Sequence, residues 1–170
     1  MNRFFVTLPA IAGLALAAAQ PALAKVSTPN HGRGTHKASC AKLTTPLVDK
    51  LFTQFNDSWA TKNPDKVTAL FAADAVLLAT VSNAPRTDHA GIRDYFVKFL
   101  KGSPVGTINS STVKSGCNWA LRAGTWTVVL TDAATGAKTD VRARYSFLYQ
   151  YERGEWKIEH LHSSMMPEKV

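Results

Sequence analysis

After Ala24 the chain has no apolar run long enough to cross a bilayer, no block of like-signed charge, and only two cysteines. Each shortage excludes something. A spanning helix needs about 20 consecutive apolar residues, so the chain beyond Ala24 is expected to have no membrane span. Nucleic-acid binders gather basic residues into patches or runs, with aromatics placed for stacking. Here a formal charge of +8 is scattered over 20 basic and 12 acidic residues, and nucleic acid is not an expected partner. A basic chain favours anionic ligands or surfaces, which bears on association and not on fold. The 170 residues suffice for one domain with a real core and are too few for two.

The long apolar run is at the start. Arg3 precedes an apolar stretch from Phe4 to Ala19, and Ala22-Leu23-Ala24 has the small-x-small form of a cleavage site. Thr7 and Pro9 interrupt the stretch and Gln20-Pro21 ends it, which separates it from a spanning helix. Residues 1–24 therefore read as a signal peptide, 25–42 as a polar, flexible leader and 43–170 as the domain, exported to the periplasm or secreted. His31 and His36 fall in the leader and read as solvated. In an oxidising compartment two cysteines read as a bridge, so a structural Cys40–Cys117 disulfide is expected, against the alternative of two buried free thiols.

Local patterning divides the domain. Thr45-Pro46 opens a helix in which Leu47, Leu51, Phe55 and Trp59 recur every four residues beside Val48 and Phe52. Asn63-Pro64 starts a shorter helix with Val67, Leu70 and Phe71 on its buried side. After Asp74, "AVLLAT" reads as a strand. Thr87 or Asp88 caps a third helix through Leu100, with Ile92, Tyr95, Phe96 and Phe99 inward and Gly102 as its stop. Strands follow: Val105–Lys114, Cys117–Leu130, Val141–Tyr151, and a last one from Glu155 or Trp156. Helices first and an antiparallel sheet afterwards predict an α+β fold with the helices on one side.

The last strand, "EWKIEHLHSS", carries the conspicuous polar groups. His160 and His162 lie two apart, so on a strand they share a face about 6 to 7 Å apart. A two-residue turn at Arg153-Gly154 would put Arg153 at positive φ, so a three-residue loop with Gly154 left-handed is expected. That register sets Ser146 opposite His160, Arg144 opposite His162 and Arg142 opposite Ser164. The histidines then share a polar strip (Arg142, Arg144, His160, His162, Ser164), and Tyr145, Phe147, Tyr149 and Leu161 take the other face. A slip of one residue would exchange the faces. An H-x-H pair supplies two of the three or four ligands that zinc needs. Spacing selects no third among His89, Asp140 and Glu159, so no metal and no cofactor are expected. No G-x-S-x-G turn exists for Ser163 or Ser164. General acid–base chemistry would use His162 as base with Tyr145 or Tyr95 as donor.

The stretches "PLVDKLFTQFNDSWATKNPDKVTALFAADAVLL", "VSNAPRT", "IRDYFVKFL" and "ARYSFLY…GEWKIEHLHSS" together resemble the NTF2-like superfamily, and within it the bacterial, SnoaL-like relatives of the calcium/calmodulin-dependent protein kinase II association domain. The resemblance runs from about Leu43 to Pro167, and the ending W-x-I-x-H-x-H-x-S is its most specific part. It implies a cone: a curved antiparallel sheet wrapped around the long first helix, with two shorter helices and a pocket between. It also implies self-association, since such relatives commonly dimerise through the outer sheet face and the kinase domain forms larger rings. The chain has no glycine-rich nucleotide loop, H-R-D or D-F-G, so kinase activity is not implied, and calmodulin is not an expected partner outside the cytoplasm. The kinase hub lines its pocket with arginines; here Ser163 follows the second histidine, Thr125 stands in the central strand, and Arg144 alone is a loose counterpart.

The expectation is an exported domain that self-associates as a dimer or larger and binds a small organic ligand in its cone. The alternative is a small acid–base enzyme of isomerase, cyclase or hydrolase type using the same pocket. Pocket candidates are Trp59, Arg86, Tyr95, Trp126, Tyr145 and Phe147; catalytic candidates are His162, Tyr145 and Tyr95.

Overall fold

A computed structural model describes residues 40–168. The expected signal peptide and residues 25–39 of the expected leader lie outside the described residues. Three helices and five strands follow in order: α1 (Thr45–Ala60), α2 (Pro64–Thr68), β1 (Phe71–Leu78), α3 (His89–Phe99), β2 (Val105–Gly116), β3 (Trp119–Thr131), β4 (Lys138–Glu152) and β5 (Glu155–Met165). The strands form one curved, unclosed sheet in the order β1-β5-β4-β3-β2.

α1 forms where proline stands in its first turn, but its cap is Thr44, whose carbonyl receives the Leu47 and Val48 amides at 3.0 Å each. Its buried stripe is Val48, Phe52, Phe55 and Trp59. Leu47, expected inward, is 46% exposed because the stripe is centred one residue later. Asn63 caps α2 by accepting from the Asp65 and Lys66 amides, and Asp88 caps α3 by accepting from Gly91 at 2.7 Å. α3 ends in a single 3-10 turn, after which Ser103, not a glycine, takes the left-handed backbone at φ 43°.

Two expectations about strands are corrected. β1 begins at Phe71, not after Asp74, because the Leu70 carbonyl already receives the Ile158 amide at 2.8 Å. β1 also runs parallel to β5, so the sheet is mixed. No hairpin joins these two strands, and only a hairpin would have forced them antiparallel.

The core lies between α1 and the concave sheet face. Phe55 meets Phe147 edge-on at 5.3 Å and Phe71 at 6.1 Å, and Trp59 meets Trp126 at 5.9 Å. β4 turns Val141, Ala143, Tyr145, Phe147 and Tyr149 inward, all buried, as its alternation requires. Gly124 in β3 is needed for close approach: a Cβ there would run into the Ser110 carbonyl, beside a bulge in β2 between Ile108 and Ser110. The Tyr145 hydroxyl donates to that same carbonyl at 3.0 Å.

Cys40 and Cys117 are joined by a disulfide, with Cα atoms 5.0 Å apart. Cys117 sits in the β2–β3 turn and not within a central strand, because Asn118 next to it is left-handed at φ 63°. The Asn118 amide donates to the Ala41 carbonyl at 2.8 Å, and its side-chain oxygen accepts from the Ala41 amide at 2.9 Å. The bridge closes a loop spanning 77 positions, which in the chain-entropy account contributes about 4 kcal/mol. The double substitution Cys40→Ser, Cys117→Ser is expected to lower the unfolding free energy by about that amount; denaturant titration with and without reductant measures it, the reduced native chain matching the variant.

Candidate functional site

The β4–β5 pairing decides which side chains enter the cone. The turn is the tight one: Glu152 pairs with Glu155, Arg153 takes φ 49° and Gly154 φ 91°. The expected three-residue loop is therefore corrected; a two-residue turn whose central pair both lie at positive φ matches the twist of the strands and outweighs the local strain at Arg153. That tighter turn moves the register by one residue. A bulge then moves it by one more, since Tyr149 pairs with Ile158 and Leu148 with His160, leaving Glu159 as the extra residue. Ser146 thus pairs with His162 and Arg144 with Ser164, two residues away from the expected partners. Two single shifts restore parity, so the faces are those expected for the histidines.

The outer face carries the strip. His162 is exposed and His160 half-buried, beside Val76 and Leu78 of β1. Arg144 donates to Ser164 Oγ at 3.3 Å, and Arg142 is exposed further along β4. Burial first, then the neighbouring His162, hold the His160 imidazole below its ordinary value, partly offset by a hydrogen bond to the Val76 backbone. Burial, with Asp74 and Glu152 adding repulsion, pushes the Glu159 carboxyl up. Among the described residues no three His, Cys, Asp or Glu side chains come together as a metal cage.

The inner face holds a narrow cavity of about 30 Å³ between α1, α3 and the sheet. Trp59, Tyr95 and Trp126 line it, with Leu77, Thr80 and Ser163. It shares Val81, Tyr95, Phe99 and Leu130 with a wider, open mouth of about 420 Å³; Arg86 and Lys98 stand at that mouth. Arg86 is clipped to its own loop by bonds to the Ala84 and Pro85 carbonyls and to Ser82 Oγ. Burial pushes the Tyr95 phenol up, against the opposing charge of Arg86. Tyr145 and Phe147 do not line the cavity: the first is tied to Ser110, and the second packs under Phe52 and Phe55.

The three catalytic candidates are not brought together. His162 lies on the outer face, Tyr145 is inside but occupied, and Tyr95 alone reaches the cavity. Sequence reasoning missed Ser163 and Thr80, which share a hydrogen bond at the cavity wall while Trp126 Nε1 donates to Ser163 Oγ at 3.0 Å. Alternation from Leu161 would have turned Ser163 inward. It also missed Arg122, 5% exposed on the inner face, whose guanidinium holds Asp49 at 2.9 Å and Ser111 at 3.0 Å and lies 5.1 Å from the Phe52 ring centre.

This half-wrapped helix under a bent sheet is the NTF2-like cone. A protein of that superfamily from Salmonella enterica aligns with a TM-score of 0.64 at 12% identity, covering 74% of this chain and 92% of its own. A protein from Novosphingobium aromaticivorans named as an aromatic ring hydroxylase aligns with a TM-score of 0.62 at 21% identity, covering 71% of this chain and 87% of its own; at such identities the likeness is one of fold. Within the class the assignment is specific. Residues 47–167 match the calcium/calmodulin dependent protein kinase II association domain, and the chain belongs to that family. A protein described as such a domain from Xanthomonas campestris is 46% identical, with a TM-score of 0.70, covering 72% of this chain and 88% of that one. No curated protein matches the chain.

The His160 shift has a definite sign. Its folded value lies below the ordinary 6.5, so the unfolded chain takes up the proton first and stability declines as pH falls through about 6.5, levelling below the folded value. The His160→Gln variant is expected to lose less melting temperature than the parent between pH 7.5 and 5, checked by calorimetry; equal losses would remove His160 from the pH response.

Proposed function

We propose that the domain is a non-catalytic, self-associating module that takes a small apolar molecule into its cone and pairs with further copies through its outer sheet face. The observation that carries this is the division of the sheet: the cone wall contains no carboxylate and no imidazole, and the histidine–arginine strip is on the opposite side. An acid–base reaction in the cone would need a base there, and His162 points the other way. The apolar wall and the open mouth fit binding by burial, although the narrow inner part is far smaller than the roughly 300 Å³ of a drug-sized site, so the body of the ligand occupies the mouth.

Self-association rests on membership of an association-domain family and on the character of the outer face. There Val76, Leu78 and Leu148 are half-buried apolar side chains among the strip of Arg142, Arg144, His160, His162 and Ser164. Export through residues 1–24 belongs to the same proposal and is supported by the disulfide, which persists in an oxidising compartment.

The test is light scattering coupled to size-exclusion chromatography on the chain from Lys25 onward. A dimer or larger species at micromolar concentration is expected. Arg144→Glu, at an exposed position, should weaken association at least about tenfold while leaving the melting temperature of the monomer unchanged. A monomer at every concentration tested would overturn the self-association reading.

A further inference from the structure

The polar groups in the cone wall have an excess of hydrogen-bond donors. Trp59 is 2% exposed and lines the cavity, and its Nε1–H has no acceptor among the described residues. Its benzo edge lies against β2, where Cζ3 is 3.4 Å from the position of a Cβ on Gly106, and Nε1 is on the other edge of the indole. An indole N–H can only donate.

Ser163 and Thr80 add a second donor. Trp126 Nε1 must donate to Ser163 Oγ, so that oxygen is committed as an acceptor. Ser163 and Thr80 then share one hydrogen bond. Whichever hydroxyl gives it, one O–H of the pair is left to donate, and both side chains line the cavity. The Tyr95 ring lines both cavity and mouth. A buried donor without an acceptor is costly, whereas an oxygen with two lone pairs relieves two at once.

We propose that the cone takes an apolar carbonyl compound, a ketone, aldehyde or lactone. Its oxygen sits at Trp59 Nε1 and the Ser163–Thr80 pair, and its hydrocarbon body lies in the mouth among Tyr95, Phe99 and Leu130. The narrow space of about 30 Å³ suits this division, since it holds a group of about the size of a water or two and not a ring. This deepens the reading of the cone as a ligand pocket and rests on it.

The probes are acetophenone and α-methylstyrene, which differ by C=O against C=CH2 at nearly the same shape, titrated calorimetrically into the chain from Lys25 onward. Burial of apolar surface alone favours the alkene, which is the more hydrophobic of the two. The proposal expects the ketone to bind at least about tenfold tighter, as relief of an orphaned buried donor requires. It also expects Trp59→Phe to reduce the ratio of ketone to alkene affinity at least about threefold, the ratio and not either affinity being the readout. On the parent protein one indole N–H resonance, assigned as Trp59, should move with ketone and not with alkene, which needs no variant to fold. Equal or tighter binding of the alkene would overturn the carbonyl proposal and leave a ligand pocket standing. No heat and no resonance shift with either probe would overturn both.

Discussion

Glu159 stands in β5 without a partner across the pair, between Ile158 opposite Tyr149 and His160 opposite Leu148. Side chains along a strand alternate, so this one unpaired position determines which of the following residues look into the cone. With the tight turn and no bulge, His160 would face Phe147 and lie among the aromatics. With the bulge, Leu161 and Ser163 enter the interior and both histidines leave it. The apolar cone and the titratable outer strip are therefore one geometric fact seen from two sides.

The interior is organised around aromatic packing with few polar groups, each with a definite place. Phe52, Phe55 and Trp59 of α1 meet Phe147 and Trp126 of the sheet edge-on or tilted, a geometry favoured by the ring quadrupoles. Tyr145 spends its hydroxyl on the Ser110 carbonyl that Gly124 admits, which makes it a brace for the β2 bulge. Arg122 is the one buried charge of this core among the described residues, shielded by Phe52 and paired with the half-exposed Asp49. Such a pair gains from Coulomb attraction and from a water-facing partner that keeps part of its hydration.

Much of this architecture was legible in advance. The apolar period from Val48 to Trp59, the Asn63-Pro64 and Asp88 starts, and the clean alternation of Val141 to Tyr149 each report a local rule that the tertiary structure obeys. The misread points share a cause. Leu47 is one residue off the stripe, β1 starts earlier and runs parallel, and Arg153 accepts positive φ. Each is settled by a neighbour distant in sequence: the rest of α1's packing, the β5 backbone, the twist of the closing hairpin. The cone wall shows the same limit. Trp59, Tyr95 and Trp126 are aromatics that any core would use, and only the arrangement of α1, α3 and β5 distinguishes them from Tyr145 and Phe147, which stay outside the wall.

By itself the sequence determined the class of fold, the family, and the two cysteines available for pairing, because periodicity, capping and turn chemistry are properties of short windows. It also determined that the histidines share a face, since that follows from a spacing of two. Which face they share, and so whether they belong to the pocket, was decided only in three dimensions. Register is the sum of a turn and a bulge, each a shift of one residue, and neither leaves a mark in composition or period. The leftover hydrogen-bond donors of the cone are likewise invisible along the chain, because a donor is orphaned only by what the folded protein places, or fails to place, against it.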